Sequence, residues 1–119
     1  MHPAPSVIFF TVVSGTGYGM LFLLPEPRPM SMWMKNTYIP LDILYFDGER
    51  RFVSGQYRVP TCRYGGDRCP NYPSEGDARY VLELNAGIGA ALDLRTGVRT
   101  RITNMQPGQY ALFPHFRSD

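Results

Sequence analysis

The chain of 119 residues, 44% hydrophobic and 18% charged, has the size and composition of one globular domain, which excludes a disordered or collagen-like chain. Its net charge of +2, from 12 basic and 10 acidic residues, comes without a lysine–arginine cluster of the kind that grips phosphates, so nucleic acid is not the expected partner. No run approaches the roughly 20 apolar residues of a membrane-spanning helix, so no membrane span is expected.

Glycine (12) and proline (11) are frequent and read as turns between short strands. Val7–Val13 is β-branched and aromatic, which predicts a first strand. Gly15, Gly17 and Gly19 mark a turn, and Met20–Leu24 is a second strand. Pro25-Glu26-Pro27-Arg28-Pro29 predicts an extended connector, because alternate prolines cannot donate to a ladder. Met30–Lys35 and Leu41–Phe46 flank a bend at Thr37–Pro40, and Asp47-Gly48 predicts a tight turn into a partner strand, Phe52–Val59. Pro60–Asp77 is expected to be an ordered loop, followed by a strand at Arg79–Leu84. Asn85 reads as a helix N-cap and Ala86–Leu92 as the one short helix. Val98–Ile102 and Gln109–Phe113, joined at Pro107-Gly108, are expected as closing strands. The pattern predicts a mainly β fold, a small β-barrel-like domain with one short α-helix.

The two cysteines, Cys62 and Cys69, enclose a polar, glycine-bearing loop, and a disulfide is the expected use of them. Zinc would need further ligands, but His2 and His115 sit at opposite ends of the chain, so no metal site and no cofactor are expected. A disulfide implies an oxidising place: periplasm, exterior or virion surface. Val7–Val13 is too short for a signal peptide and lacks a basic n-region, so no signal peptide is visible. Release of a virus particle by lysis is one route to an oxidising place without one.

Met30, Met32 and Met34 alternate, which sends three thioethers to one side of a strand. Soft sulfur suits Cu(I), but no histidine lies near, and a packed core face is the expectation. No Gly-x-Ser-x-Gly elbow and no nucleophile–histidine pairing is present, so no catalytic residue is assigned. A carboxylate-dependent hydrolase using Asp42 and Glu83 is the weakest alternative. Asp42 follows a proline-bounded bend, where a carboxylate accepts backbone N–H groups. The densest polar and aromatic cluster is Trp33, Lys35, Asn36, Thr37 and Asp42, and with Glu83 these are the candidate binding residues.

The runs Gly19-Met20-Leu21-Phe22 and Trp33-Met34-Lys35-Asn36-Thr37-Tyr38-Ile39-Pro40-Leu41-Asp42, followed by Ala78-Arg79-Tyr80-Val81-Leu82-Glu83-Leu84-Asn85-Ala86-Gly87, resemble the signature blocks of the domain-of-unknown-function family 192. The resemblance spans residues 19 to 102 of a single domain, 1–119, with Val7–Tyr18 as a variant N-terminal strand region and Asn104–Asp119 as an extended tail. It implies a compact β-barrel-like domain with a short helix, often exported in bacteria, and no activity to transfer. The function expected is that of a non-enzymatic, extracytoplasmic or particle-surface module that binds a ligand or partner through the Trp33–Asp42 region. The alternative is a structural protein, such as a phage capsid decoration or cement subunit, which would need a homo-oligomer or a capsid lattice.

Overall fold

The computed structural model of the protein describes residues 8–14, 17–35, 37–62, 68–99 and 111–113. Six strands and one short helix follow in chain order: β1 (Ile8–Ser14), β2 (Gly17–Trp33), β3 (Leu41–Phe46), β4 (Phe52–Val59), β5 (Asn71–Asn85), α1 (Ile88–Ala91) and β6 (Ala111–Phe113). They form one sheet in the order β4-β3-β5-β2-β1-β6. All pairings are antiparallel except β1 with β6. The long β5 lies between β2 and β3, so its residues have a neighbour on both sides.

Local chemistry explains the hairpins. Between β3 and β4 the Asp47 carboxylate accepts the N–H groups of Glu49 (2.8 Å) and Arg51 (2.9 Å), and the Asp47 carbonyl accepts that of Arg50 (3.0 Å). An aspartate that bonds its own turn is the reason Asp-Gly signals one. Two apolar clusters then use the two faces of the alternating strands. On one face Leu21, Leu44, Phe46, Phe52, Tyr80, Leu82 and Leu84 pack together, with Ile88, Leu92 and Leu94 laid against them. On the other, Phe22, Ile43, Tyr45 and Val81 meet Met30, Met32, Met34 and Val59. The methionine stripe is therefore core, with each of the three at most 5% exposed.

That second cluster needs the sheet to bend. β2 is a single strand of 17 residues, and Pro25–Pro29 lies inside it, not in a connector. Its register on β5 slips between Leu23 and Arg28 and again between Pro29 and Ser31. Prolines are tolerated in such irregular stretches because no ladder donor is needed there. β5 likewise begins at Asn71, within the segment expected to be a loop. Ser74 replaces part of the ladder: its hydroxyl accepts from Met30 N (3.0 Å) and donates to Gly76 O (2.7 Å). The far half of β2 curls until Lys35 bridges Cys62, just beyond β4. The mainly β fold with a short helix is as expected, but the sheet is not closed, and "barrel-like" describes its curl alone.

The helix also differs from expectation. It covers four residues, and its N-cap is Gly87 at φ 97°, not Asn85, which ends β5 opposite Leu41. Strand pairing outcompetes the side-chain cap that Asn85 offered. Of the two closing strands, the described part of the first is an Arg51–Arg99 bridge, with residues 100–102 outside the described residues. The second is β6, and residues 109–110 lie outside the described residues.

Cys62 and Cys69 are disulfide-bonded, with Cα atoms 5.8 Å apart, and join the end of β4 to the start of β5. Closing so short a loop stabilises by about 2 kcal/mol in the chain-entropy treatment. The Cys62→Ser, Cys69→Ser double variant should lose that amount in urea unfolding; an unchanged midpoint would mean the bridge constrains nothing. At Gly19 a Cβ would sit 2.5 Å from Leu84 Cδ2 and 2.6 Å from the Glu83 carbonyl oxygen. Backbone cannot yield as a side-chain tip can, so Gly19→Ala should cost about 2 kcal/mol by overpacking, read from the thermal midpoint. A neutral result would mean that β2 and β5 can separate there freely.

Candidate functional site

The segment between β2 and β3 is anchored at both ends. Thr37 N donates to Met34 O (3.0 Å), and Ala86 N donates to Pro40 O (3.2 Å). These bonds hold Tyr38, 78% exposed, and Ile39, 52% exposed, at the rim of the sheet beside the end of β5. Beneath the rim lies a pocket of about 320 Å³. Met20, Ile39, Leu41 and Leu84 give it apolar walls, Gly19 lets β2 approach β5, and Thr37, Glu83 and Asn85 are its polar members.

Glu83 is the chemically distinct member. In the ladder it stands between Met20 of β2 and Ile43 of β3, and Val81 precedes it on its own face. Apolar neighbours in place of water disfavour the charged form. Burial pushes the Glu83 carboxyl up to about 7. Burial also raises the phenol of Tyr45, which shares the face and donates its hydroxyl to the Tyr72 carbonyl.

Asp42 has a different position and a different task. It is fully buried. One carboxylate oxygen, Oδ1, accepts Arg58 N (2.8 Å), while Oδ2 accepts Gly87 N (3.0 Å) and Gly89 N (2.7 Å). Arg58 lies in the bulge of β4, where the register slips opposite β3. One side chain thus fixes the bulge and supplies the cap that α1 lacks from its own N-cap residue. Asp42 is in register with Leu84, and Ile43 with Glu83. Successive side chains leave a strand on opposite faces, and Asp42 is not among the residues lining the pocket that holds Glu83, so the two do not form the carboxylate pair that a hydrolase of that kind requires.

The other sequence candidates divide. Thr37 joins Glu83 in the pocket. Trp33 and Lys35 pair with each other, the Lys35 ammonium 5.0 Å from the indole centroid, and are not part of the pocket wall. Asn36 lies outside the described residues. Gly19, Met20, Ile39, Leu41, Leu84 and Asn85 line the pocket but were not among the named sequence candidates. The row Arg79, Val81, Glu83 read as the polar face of the strand, and such a face reads the same whether water or a pocket covers it. No group of three or more His, Cys, Asp or Glu among the described residues is placed to hold a metal.

Fold and pocket together define the class: a small, open, strongly bent antiparallel sheet with one short helix and an apolar cleft carrying a single carboxyl group. Within that class the chain belongs to the uncharacterized ACR family, domain of unknown function 192, whose model matches residues 14–102. It is similar to a solved structure of a candidate transcription regulator from Sinorhizobium meliloti 1021, with 26% identity, TM-score 0.60, and coverage of 76% of this chain and 87% of that one. It is also similar to a protein of unknown function from Novosphingobium aromaticivorans DSM 12444, with 25% identity, TM-score 0.58, and coverage of 82% and 87%. No curated protein matches it.

Proposed function

We propose that the protein is a non-enzymatic binding module that takes a small, largely apolar ligand in the pocket at the end of β5. The observation that carries this reading is the pocket itself: about 320 Å³, apolar-walled, with a few convergent polar groups. Volume and lining fall at the lower end of small-molecule sites. It touches the Trp33–Asp42 region at Thr37, Ile39 and Leu41. The disulfide supports a non-reducing setting, and a periplasmic, secreted or virion-surface location is consistent with it. Among the described residues no helix is long and apolar enough to cross a membrane.

A fragment screen followed by methyl NMR tests the reading. Hits should shift Met20, Ile39, Leu41 and Leu84 saturably. Ile39→Arg, at an exposed loop position that leaves the fold intact, should weaken them at least tenfold. A screen with no saturable hit at these methyls would refute it. A structural-subunit reading has one observation of its own, the exposure of Tyr38 and Ile39 on the rim, since exposed large apolar groups mark partner surfaces. Sedimentation separates the two: self-association lost in Tyr38→Ser, Ile39→Ser would favour assembly, and a monomer that binds fragments would favour the module.

A further inference from the structure

The polar lining of the pocket specifies more than its size. Among the described residues no hydrogen-bond donor or cation meets the Glu83 carboxyl, and no Lys, Arg or His lines the pocket. From β2 it is faced by Met20, from β3 by Ile43 and Tyr45, and from the 37–39 segment by Thr37 and Ile39. Tyr45 is the one titratable group of this set, and its hydroxyl is committed to the Tyr72 carbonyl. Among the described residues an ionised carboxylate so placed has no counter-ion, which is costly in apolar surroundings.

We infer that the pocket takes an organic ammonium, a small cation with an apolar body, whose charged nitrogen sits on the Glu83 carboxylate. This rests on the binding reading above. An ammonium presents N–H donors and no acceptor. Glu83, the Thr37 hydroxyl and the Asn85 amide oxygen can all accept, and Met20, Leu41 and Leu84 take the apolar body. A carboxylate ligand would be repelled. A neutral alcohol would satisfy one lone pair and leave the charge unmatched. Because the free carboxyl stands up to about 7, a cation must displace its proton below that pH. Affinity therefore rises with pH, about tenfold between about pH 6 and about pH 8.5, as the ionised fraction goes from about a tenth to nearly one.

The test titrates the full chain with hexylammonium, hexanol and hexanoate, read by methyl NMR at both pH values. Hexylammonium should bind more tightly than the other two, with the tenfold pH gain, and Glu83→Gln should abolish both the preference and the pH dependence while hexanol binding persists. Hexanol equal to or tighter than hexylammonium, or an ammonium preference that survives Glu83→Gln, would overturn the cation assignment and leave the pocket standing. No saturable shift with any of the three would overturn the pocket reading as well.

Discussion

Asp42→Ala should destabilise the protein by about 4 kcal/mol, and Asp42→Asn by about 2 kcal/mol, in urea unfolding followed by circular dichroism. The carboxylate is fully buried and accepts three backbone N–H groups at 2.7 to 3.0 Å. A hydrogen bond to a charged group is worth about 1.5–3 kcal/mol, and a buried donor left without a partner costs about 1–3 kcal/mol. The full sum is not reached, because Arg58 is exposed and its freed N–H can find water. The asparagine keeps one acceptor oxygen and turns an amide –NH₂ toward a donor at the other, so it recovers part of the loss. Set against the 5–15 kcal/mol typical of a small domain, the alanine variant stands near the unfolding threshold. A loss below about 1 kcal/mol would mean that α1 and the β4 bulge hold their shape without Asp42. Ligand binding cannot explain such a loss, since Asp42 does not line the pocket.

Glu83 should make stability fall with pH. Its folded pKa stands at about 7, above the ordinary 4.5 of the unfolded chain. Between these values the folded state holds more protons than the unfolded state, so stability declines as pH rises. The contribution is complete below about pH 4.5, is lost progressively up to about pH 7, and is flat above. At about 1.4 kcal/mol per pH unit over that window the loss totals about 3 kcal/mol. The informative quantity is the difference between the native protein and Glu83→Gln, which isolates this one carboxyl. The variant should match the native protein at about pH 4.5 and exceed it by about 3 kcal/mol at about pH 8. Parallel profiles for the two would show that water reaches the carboxyl freely. The cost borne near neutral pH is consistent with a group kept for binding, since glutamine would serve the fold better.

Much of the architecture was legible along the chain because its causes are local. Asp47-Gly48 forms its turn through the aspartate's own backbone contacts. The alternation of Met30, Met32 and Met34 marked a buried face, and a period of two needs no knowledge of the partner strand. Cys62 and Cys69 had no other ligands in the sequence to use their thiols, which made a disulfide the expectation, and the two are bonded. The breaks in legibility came where a distant strand overrode a local signal. Pro25–Pro29 lies within β2 because β5 slips register there to accommodate it. Pro73 and Gly76 did not stop β5, since Ser74 supplied hydrogen bonds to Met30 that the ladder could not. Asn85 became a strand end opposite Leu41, and the cap passed to Asp42, 45 residues away from Gly87.

The class of fold, the buried methionine face and the family were legible along the chain, and a disulfide was the expected use of the two cysteines, because turn chemistry, side-chain alternation and ordered motifs are written in neighbouring residues. What the two acids do depends on contacts between distant strands. Asp42 and Glu83 occupy opposite faces of the sheet, one turned to the backbone of α1 and β4 and the other to an apolar pocket. Pairing β5 between β2 and β3 sets which groups surround each carboxylate, and it is the surroundings that make one acid a structural acceptor and the other a titratable group in a cleft.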